Sequence, residues 1–185
     1  MAAEDGHRWN QRYAGRTVAE PSPPNALTAA GLVDVVGTSG RALDVACGAG
    51  GQAVWLAQRG FDVVAVDASD AAVALATAAA AAGGVDGRVA AEVIDLDAGI
   101  PRDLGVFDVI VCQRFRGIDL YDAFVTRLAP DGIAVVTVLS ETGVVSPGPF
   151  HAPSGELLRA FTRPDAEILF HSESDGQESI ILRRT

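Results

Sequence analysis

Ala42-Leu43-Asp44-Val45-Ala46-Cys47-Gly48-Ala49-Gly50-Gly51 is the stretch that decides the fold of this 185-residue chain. An apolar run reaches the acid Asp44 and breaks into a loop of small residues, after which Ala53-Val54-Trp55-Leu56-Ala57 continues with helical spacing. Such a loop lets backbone N–H groups approach a ligand at a helix N-terminus, and a carboxylate at the strand end pairs with a positive charge. The stretch therefore predicts a site for a nucleotide-like, partly cationic ligand.

Apolar strand patterns alternate with helical patterns along the rest of the chain. Strands are predicted at residues 41–45, 61–67, 89–94, 107–112, 133–139, 166–172 and 179–182. Helices are predicted at residues 7–13, 25–36, 52–58, 70–82, 121–128 and 154–161. This alternation indicates a parallel, right-handed, doubly wound α/β sheet. Ser174-Asp175-Gly176-Gln177 joins the last two strands as a hairpin connection.

The segment from Asp44 to Gly50 resembles the first motif of the class I S-adenosylmethionine-dependent methyltransferases: an acid, two residues, then a loop of glycines and small residues. The family usually has glycine where Ala46 stands. One extra methyl group leaves room for the ligand provided that the backbone there does not need a positive φ.

This resemblance implies a Rossmann-like, seven-stranded sheet with strand order 3-2-1-4-5-7-6 and strand 7 antiparallel. It also implies one methyltransferase domain over residues 1–185. Residues 1–36 would form an N-terminal helical flap, and residues 37–185 the Rossmann-like core.

A dinucleotide site competes with this interpretation. Residues 48–53 also fit the G-x-G-x-x-G/A pattern, and Asp67 lies 19 residues after Gly48, at the end of the next strand. The loop alone leaves both open. Three features favour the methyltransferase: Asp44 precedes the glycines, another acid follows the third strand, and 185 residues leave little room for a dehydrogenase substrate domain.

The resemblance also implies which residues bind S-adenosylmethionine and its product S-adenosylhomocysteine. The implied set is Asp44, Ala46, Cys47, Gly48, Gly50, Asp67, Ala68, Ser69, Asp95, Leu96, Gln113 and Tyr13. Asp67 would accept from both ribose hydroxyls, with Ala68 and Ser69 beside the adenine. Asp95 would accept from the adenine amino group, and the Leu96 N–H would meet the ring.

Each assigned acid has a simpler alternative. Asp67 could merely cap the next helix, although Ser69 or Asp70 could do so instead. Asp97 rivals Asp95, and acids favour solvated turns in any case.

The fourth strand runs into Gln113-Arg114-Phe115-Arg116, where a methyl acceptor approaches in this fold. The Asn-Pro-Pro-Tyr type of motif found in amino-methylating relatives is absent, which disfavours a nitrogen acceptor. Gln113 and Phe115 are candidates to line the pocket. Arg114 or Arg116 could hold an anionic substrate, and the alternative for each is a surface arginine.

His151, in the loop of residues 146–153, is the candidate catalytic base. Transfer to a thiolate needs little besides proximity and orientation, whereas a hydroxyl acceptor needs a base that titrates near neutrality. His7 and His171 rank lower, and a loop histidine that is simply exposed is the alternative.

Trp9 and Tyr13 share a helix face and resemble the Trp-x-x-x-Tyr pattern of small methyltransferases of the tellurite-resistance and thiopurine type. Gly155-Glu156-Leu157 extends that resemblance toward the C-terminus. Either the flap closes over the cofactor, with Tyr13 or Arg12 reaching the methionine carboxylate, or both aromatic residues only pack the flap onto the domain.

The composition of the chain limits the classes of partner and ligand that we expect. Fourteen basic residues against 24 acidic ones give a net charge of −10, which disfavours DNA or RNA as the acceptor. The two cysteines have no metal-ligand or C-x-x-C spacing, and no metal site is expected. Without a signal-peptide or membrane-span pattern, we expect a cytoplasmic monomer or homodimer that does not bind membranes.

The sequence therefore predicts methyl transfer from S-adenosylmethionine to a small molecule, at oxygen or sulfur more than at nitrogen. One alternative is an NAD(P)-dependent reductase, which has no use for Asp95. The other is a module that binds S-adenosylmethionine without turnover.

Overall fold

The computed structural model describes residues 2–185, and it describes side chains only beyond residue 5. The helices are α1 Ala2–Tyr13, α2 Asn25–Ala30, α3 Gly51–Gln58, α4 Asp70–Ala82, α5 Tyr121–Thr126 and α6 Glu156–Phe161. The strands are β1 Gly40–Val45, β2 Phe61–Asp67, β3 Val89–Val93, β4 Phe107–Gln113, β5 Leu128–Leu139, β6 Ala166–Ser174 and β7 Gln177–Arg184. None of these helices has the length and apolar character needed to cross a membrane.

The seven strands form one sheet in the order β3-β2-β1-β4-β5-β7-β6. β2 pairs in parallel with both β1 and β3, and β4 pairs in parallel with β5. β7 is antiparallel to β5 and β6. The predicted fold class and strand order are confirmed.

The chain divides into two compact units. The first contains the residues up to Pro23 together with Gly37–Leu104, and the second contains Pro24–Val36 and Gly105–Thr185. The two helices of the predicted flap are therefore divided, α1 with the first unit and α2 with the second. The assignment of one domain to residues 1–185 stays a prediction.

The first unit packs α3 and α4 against β1, β2 and β3, because the apolar residues of these strands need cover. Leu43, Leu56 and Phe61 are fully buried there. The alanine-rich helix α4 allows very close packing: a Cβ on Gly50 would lie 2.7 Å from the Ala76 Cα. This contact fixes the glycine loop against α4.

The second unit is built on the strands β4, β5, β6 and β7. Phe124, Phe161 and Leu157 are fully buried, and the rings of Tyr121 and Phe161 lie 5.4 Å apart. This core anchors α5 and α6, and the segment between β5 and α6 carries the loop that contains His151.

Two of the element boundaries differ from the predictions for local physical reasons. The predicted helix 25–36 ends at Ala30, because Gly31 takes a left-handed C-cap conformation with φ 67°. β5 begins at Leu128 rather than residue 133, since the turn at 130–132 becomes a bulge in the pairing with β4. The hairpin is confirmed: positive φ at Asp175 and Gly176 is typical of a type I′ turn.

Candidate cofactor and acceptor sites

The glycine loop after β1 is held by backbone hydrogen bonds. The Cys47 N–H donates to the Val66 carbonyl of β2 at 3.0 Å, and the Gly50 N–H donates to the Cys47 carbonyl at 3.0 Å. Gly48 and Gly50 have positive φ, as glycine permits. Ala46 also has a positive φ, 54°. The expectation that the backbone at this residue does not need a positive φ is therefore wrong, and the backbone of this alanine is strained.

Asp67, at the end of β2, accepts hydrogen bonds from the glycine loop and from the turn that follows β2. Its Oδ2 accepts from the Gly48 N–H at 3.0 Å, and its Oδ1 accepts from the Ser69 N–H at 2.9 Å. Burial raises the pKa of the Asp67 carboxyl, and the N–H donors only partly oppose that rise. A carboxylate has about four acceptor positions, so this one keeps capacity for hydroxyl donors.

Asp44, in β1, is a buried acid of the first unit. It is 2% exposed, and burial raises its pKa to about 8, against the opposing hydrogen bond from the Ala53 backbone. Among the side chains that the structure describes, its Oδ2 is a buried polar atom without a hydrogen-bond partner. An orphaned carboxylate oxygen under a glycine loop fits a ligand that brings a cation or a donor.

Cys47 lies in the same loop with its thiol buried. Burial raises the pKa of this thiol, and the negative charges of Asp44 and Asp67 raise it further. Cys47 and Cys112 are both free. Cys47 therefore contributes a small neutral side chain rather than a thiolate.

α1 covers the glycine loop and the turn after β2. The Tyr13 hydroxyl lies so close to Gly48 that a Cβ there would be 2.7 Å from it. Asn10 Oδ1 accepts from the Ser69 hydroxyl at 2.6 Å. Burial and the negative charge of Asp67 raise the pKa of Tyr13. Sequence reasoning missed Asn10, although it lies one helical turn before Tyr13 on the same face.

Asp95 and Leu96 follow β3 at the same edge of the sheet. The Ile94 N–H donates to the Asp67 carbonyl at 3.0 Å, which aligns the two strand ends. Asp95 is exposed, and its Oδ1 accepts from the Asp97 N–H at 3.0 Å, whereas Leu96 is buried. The rival Asp97 thus supplies an amide that orients Asp95. The adenine role of Asp95 stays a prediction.

Gln113 ends β4 in the second unit. Its side-chain amide donates to the carbonyls of Cys112 at 3.0 Å and Val135 at 3.2 Å. These bonds hold the side chain to its own strand and to β5. They do not test the predicted contact of Gln113 with the cofactor, which stays a prediction.

Arg116 cannot serve as the proposed anion site. Its guanidinium forms a two-pronged ion pair with Glu156 at 2.9 and 2.5 Å, and the Tyr121 hydroxyl donates to the same carboxylate at 2.9 Å. The pKa of Glu156 is lowered mainly by Arg116. Of the two candidate arginines, only Arg114 keeps its charge available.

His151 is half-buried in the loop between β5 and α6. Its Nδ1 accepts from the Gly148 N–H at 2.9 Å and also lies 3.2 Å from the Gly148 carbonyl. In the first arrangement a neutral ring carries its proton on Nε2 and acts as a donor. In the second, Nδ1–H donates to the carbonyl and leaves Nε2 free to accept a proton. The loop supports both tautomers, so the catalytic role stays a prediction.

Glu173 of β6 anchors both ends of that loop. It accepts from the hydroxyls of Ser140, Thr142 and Ser154 at 2.6, 2.8 and 3.0 Å and from the Gly155 N–H. These donors lower its pKa to about 2 despite the opposing effect of desolvation. Across residues 6–185, no three His, Cys, Asp or Glu side chains group as a metal site.

Known proteins share this domain and fold. A family model described as a methyltransferase domain matches residues 42–132. Ribosomal RNA small subunit methyltransferase C of Alcanivorax borkumensis is 43% identical over 54 residues. That stretch is 29% of this chain and only 17% of the relative.

Two solved structures are similar over most of the chain. TehB of Haemophilus influenzae has a TM-score of 0.71 at 17% identity, covering 87% of this chain and 62% of TehB. Geranyl diphosphate C-methyltransferase of Streptomyces coelicolor, in complex with S-adenosylhomocysteine, has a TM-score of 0.72 at 16% identity and covers 100% and 98%. At such identities the likeness concerns the fold. The chain contains a methyltransferase domain match over residues 42–132 and has the fold of the S-adenosylmethionine-dependent methyltransferases.

Proposed function

We propose that this protein transfers the methyl group of S-adenosylmethionine to a small molecule. The observation that carries the proposal is the 3.0 Å bond between the Gly48 amide and Asp67, which joins the glycine loop of β1 to the acid that ends β2. In open α/β sheets, nucleotide ligands bind at the carboxyl ends of the strands. The orphaned Asp44 oxygen adds a buried acceptor for the cationic part of such a ligand.

The residues of the first unit divide the cofactor between them. Asp67 accepts from the ribose hydroxyls, with Ala68 and Ser69 beside the adenine. Asp95 and the Leu96 amide recognise the adenine edge. These roles follow the family resemblance, and they fit acids that sit at successive strand ends.

The remaining predicted contacts come from the loop and from α1. Ala46, Cys47, Gly48 and Gly50 present backbone to the methionine part of the cofactor. Tyr13, already against Gly48, closes over it. Bound S-adenosylmethionine supplies an electrophilic methyl group, and the chain supplies orientation and exclusion of water.

A small molecule suits this chain better than a nucleic acid as the acceptor. The net charge of −10 opposes binding to a phosphate backbone, although one relative is named for ribosomal RNA. Oxygen or sulfur is favoured because the amino-methylating motif is absent after β4. A hydroxyl acceptor needs His151 as base, with Nδ1–H donating to the Gly148 carbonyl.

Calorimetric titration with S-adenosylhomocysteine, with NADH as control, tests the cofactor. We expect micromolar binding of S-adenosylhomocysteine alone. Binding of NADH alone would move residues 48–53 and Asp67 into a reductase site, and binding of neither would contradict the proposal.

Methyl transfer is then measured by mass spectrometry on phenols, thiols, amines and small-subunit ribosomal RNA. Products from phenols or thiols are expected. Cofactor binding without transfer to any class would favour a binding module, and transfer to the RNA would overturn the choice of a small molecule. A His151→Asn variant that keeps full turnover on a phenol would show that this histidine is no base.

A further inference from the structure

Arg114, directly after β4, has a strained backbone. Its φ is 59°, in the left-handed region that residues other than glycine, asparagine and aspartate rarely occupy. Its N–H donates to the Thr137 carbonyl of β5 at 2.7 Å. Strain of this kind persists only where the surroundings impose it, and it is concentrated at binding and active sites.

The residues that follow hold Arg114 in this conformation. The Cys112 thiol contacts the Phe115 carbonyl at 3.7 Å. The Phe115 ring packs so closely on Gly117 that a Cβ there would lie 2.8 Å from it. Arg116 is fixed by Glu156. The turn is thus anchored on both sides of Arg114, while the Arg114 side chain itself is exposed.

Arg114 also stands apart by its charge. All fourteen basic residues of the chain are arginines, and every one lies within the part that the structure describes. Thirteen of these arginines have a hydrogen-bond, ion-pair, ring or other electrostatic partner. In that same part of the chain, the Arg114 guanidinium has none.

A free guanidinium on an anchored turn is suited to one kind of group. It offers five N–H donors in a planar fork that matches a carboxylate or a phosphate. In a protein of net charge −10, an anion binds only where a local cation offsets the repulsion. The carboxyl end of a parallel strand is also where ligands of this fold class bind.

We infer that Arg114 binds an oxyanion of the methyl acceptor, so that the acceptor carries a carboxylate or a phosphate group. The identification of the bound anion as the methyl acceptor rests on the proposed function. The anion site at Arg114 does not require it. Arg114 is a specificity residue here: it holds the acceptor and takes no part in the bond that forms.

The experiment titrates the protein, saturated with S-adenosylhomocysteine, with benzoate, phenyl phosphate and neutral methyl benzoate. Binding is followed by the NMR shift of the Arg114 Nε–H. We expect both anions to bind and the ester not to shift this signal. The tighter of the two anions identifies carboxylate or phosphate as the preferred group.

Three variants decide whether Arg114 is responsible. Arg114→Gln should weaken anion binding about 10- to 100-fold, the usual effect of losing charge-assisted hydrogen bonds. Arg114→Lys should recover part of that loss, because it restores the charge without the fork. The matched control is Arg88→Gln, which removes the same charge from an exposed ion pair with Asp62 and should change nothing.

For the variants, the ligand-induced shifts of backbone amides 113–117 replace the arginine signal. Two results would overturn the inference. One is equal anion affinity in the wild type and Arg114→Gln. The other is no anion binding to the wild type up to about 50 mM, a concentration at which even weak binding is detected. If S-adenosylhomocysteine does not bind, the proposed function fails, while the same titrations of the cofactor-free protein still test the anion site. Unchanged melting temperature and cofactor affinity of Arg114→Gln exclude misfolding as the cause of a loss.

Discussion

Acidic side chains have opposite environments in the two units of this protein. In the first, burial raises the pKa of Asp44 and Asp67. In the second, an arginine lowers the pKa of Glu156, and hydroxyl and amide donors lower that of Glu173. Acids with enough donors stabilise the fold, whereas acids buried with too few keep capacity for a ligand. This contrast separates structural acids from candidate binding acids.

The largest expected effect comes from removing a structural acid, Glu178 of β7. Its fully buried carboxylate accepts from the Leu157 N–H at 2.9 Å and the Leu158 N–H at 3.0 Å, and it lies 3.0 Å from His171 Nε2. Glu178→Ala leaves these amides at the start of α6 unpaired. We expect the free energy of unfolding to fall by about 3 kcal/mol, measured by urea titration.

Glu167→Ala is the matched control on the neighbouring strand. Glu167 is exposed and forms a surface ion pair with Arg183 at 3.1 Å, so the expected change is below about 0.5 kcal/mol. Equal losses for the two variants would break the distinction between a buried acid with donors and a surface acid.

Asp67→Ala tests an acid assigned to the cofactor. We expect the affinity for S-adenosylhomocysteine to fall by about 1 to 3 kcal/mol, because ribose hydroxyls lose their acceptor and the Gly48 amide loses its own. Calorimetry measures this change. The control is Asp62→Ala, an exposed acid on the same strand whose partner is Arg88. Unchanged affinity in Asp67→Ala would remove the ribose assignment.

Asp44→Asn tests the pH dependence that follows from an unsatisfied acid. Its pKa rises from 3.8 in the unfolded chain to about 8 in the fold, so the native state binds more protons between these values. The stability of the wild type therefore declines as pH rises from about 4 to about 8. The asparagine variant lacks the part of this decline that Asp44 contributes, whereas Asp67, whose pKa burial also raises, keeps its own part.

We expect Asp44→Asn to gain roughly 1.5 kcal/mol over the wild type between pH 4.5 and pH 8.5, measured by urea titration. The full shift in pKa corresponds to roughly 6 kcal/mol, but the new amide needs partners of its own and the ionised acid recruits water. The same variant should bind S-adenosylhomocysteine more weakly. A stability difference that does not change with pH would refute the raised pKa.

The fold could be predicted from the sequence because its determinants are local. Alternating strand and helix patterns, the glycine loop after Asp44 and the turn at Asp175-Gly176 each specify their own geometry, and the strand order followed from the family resemblance. The strand-end positions of Asp67 and Asp95 followed in the same way.

What the sequence could not reveal depends on contacts between distant residues. The pairing that removes Arg116 as an anion site spans 40 residues to Glu156. The bond from Ser69 to Asn10 spans 59 residues. The left-handed backbone of Ala46 results from closing the loop against β2, which the residue type alone does not indicate.

Ala46→Gly is the smallest of the expected effects and the sharpest test of strain in the binding loop. Glycine occupies φ 54° without the steric cost that alanine bears there, but it is more flexible in the unfolded chain, so the net gain in stability is about 0.5 to 1 kcal/mol. Ala42→Gly, in the extended strand β1 four residues earlier, should lose about 1 kcal/mol for the opposite reason.

Urea titration of both variants gives the comparison. If both lose stability alike, Ala46 is unstrained. If Ala46→Gly gains stability while its affinity for S-adenosylhomocysteine is unchanged, the loop bears a cost that the cofactor does not require, because binding then leaves the backbone at position 46 as it was.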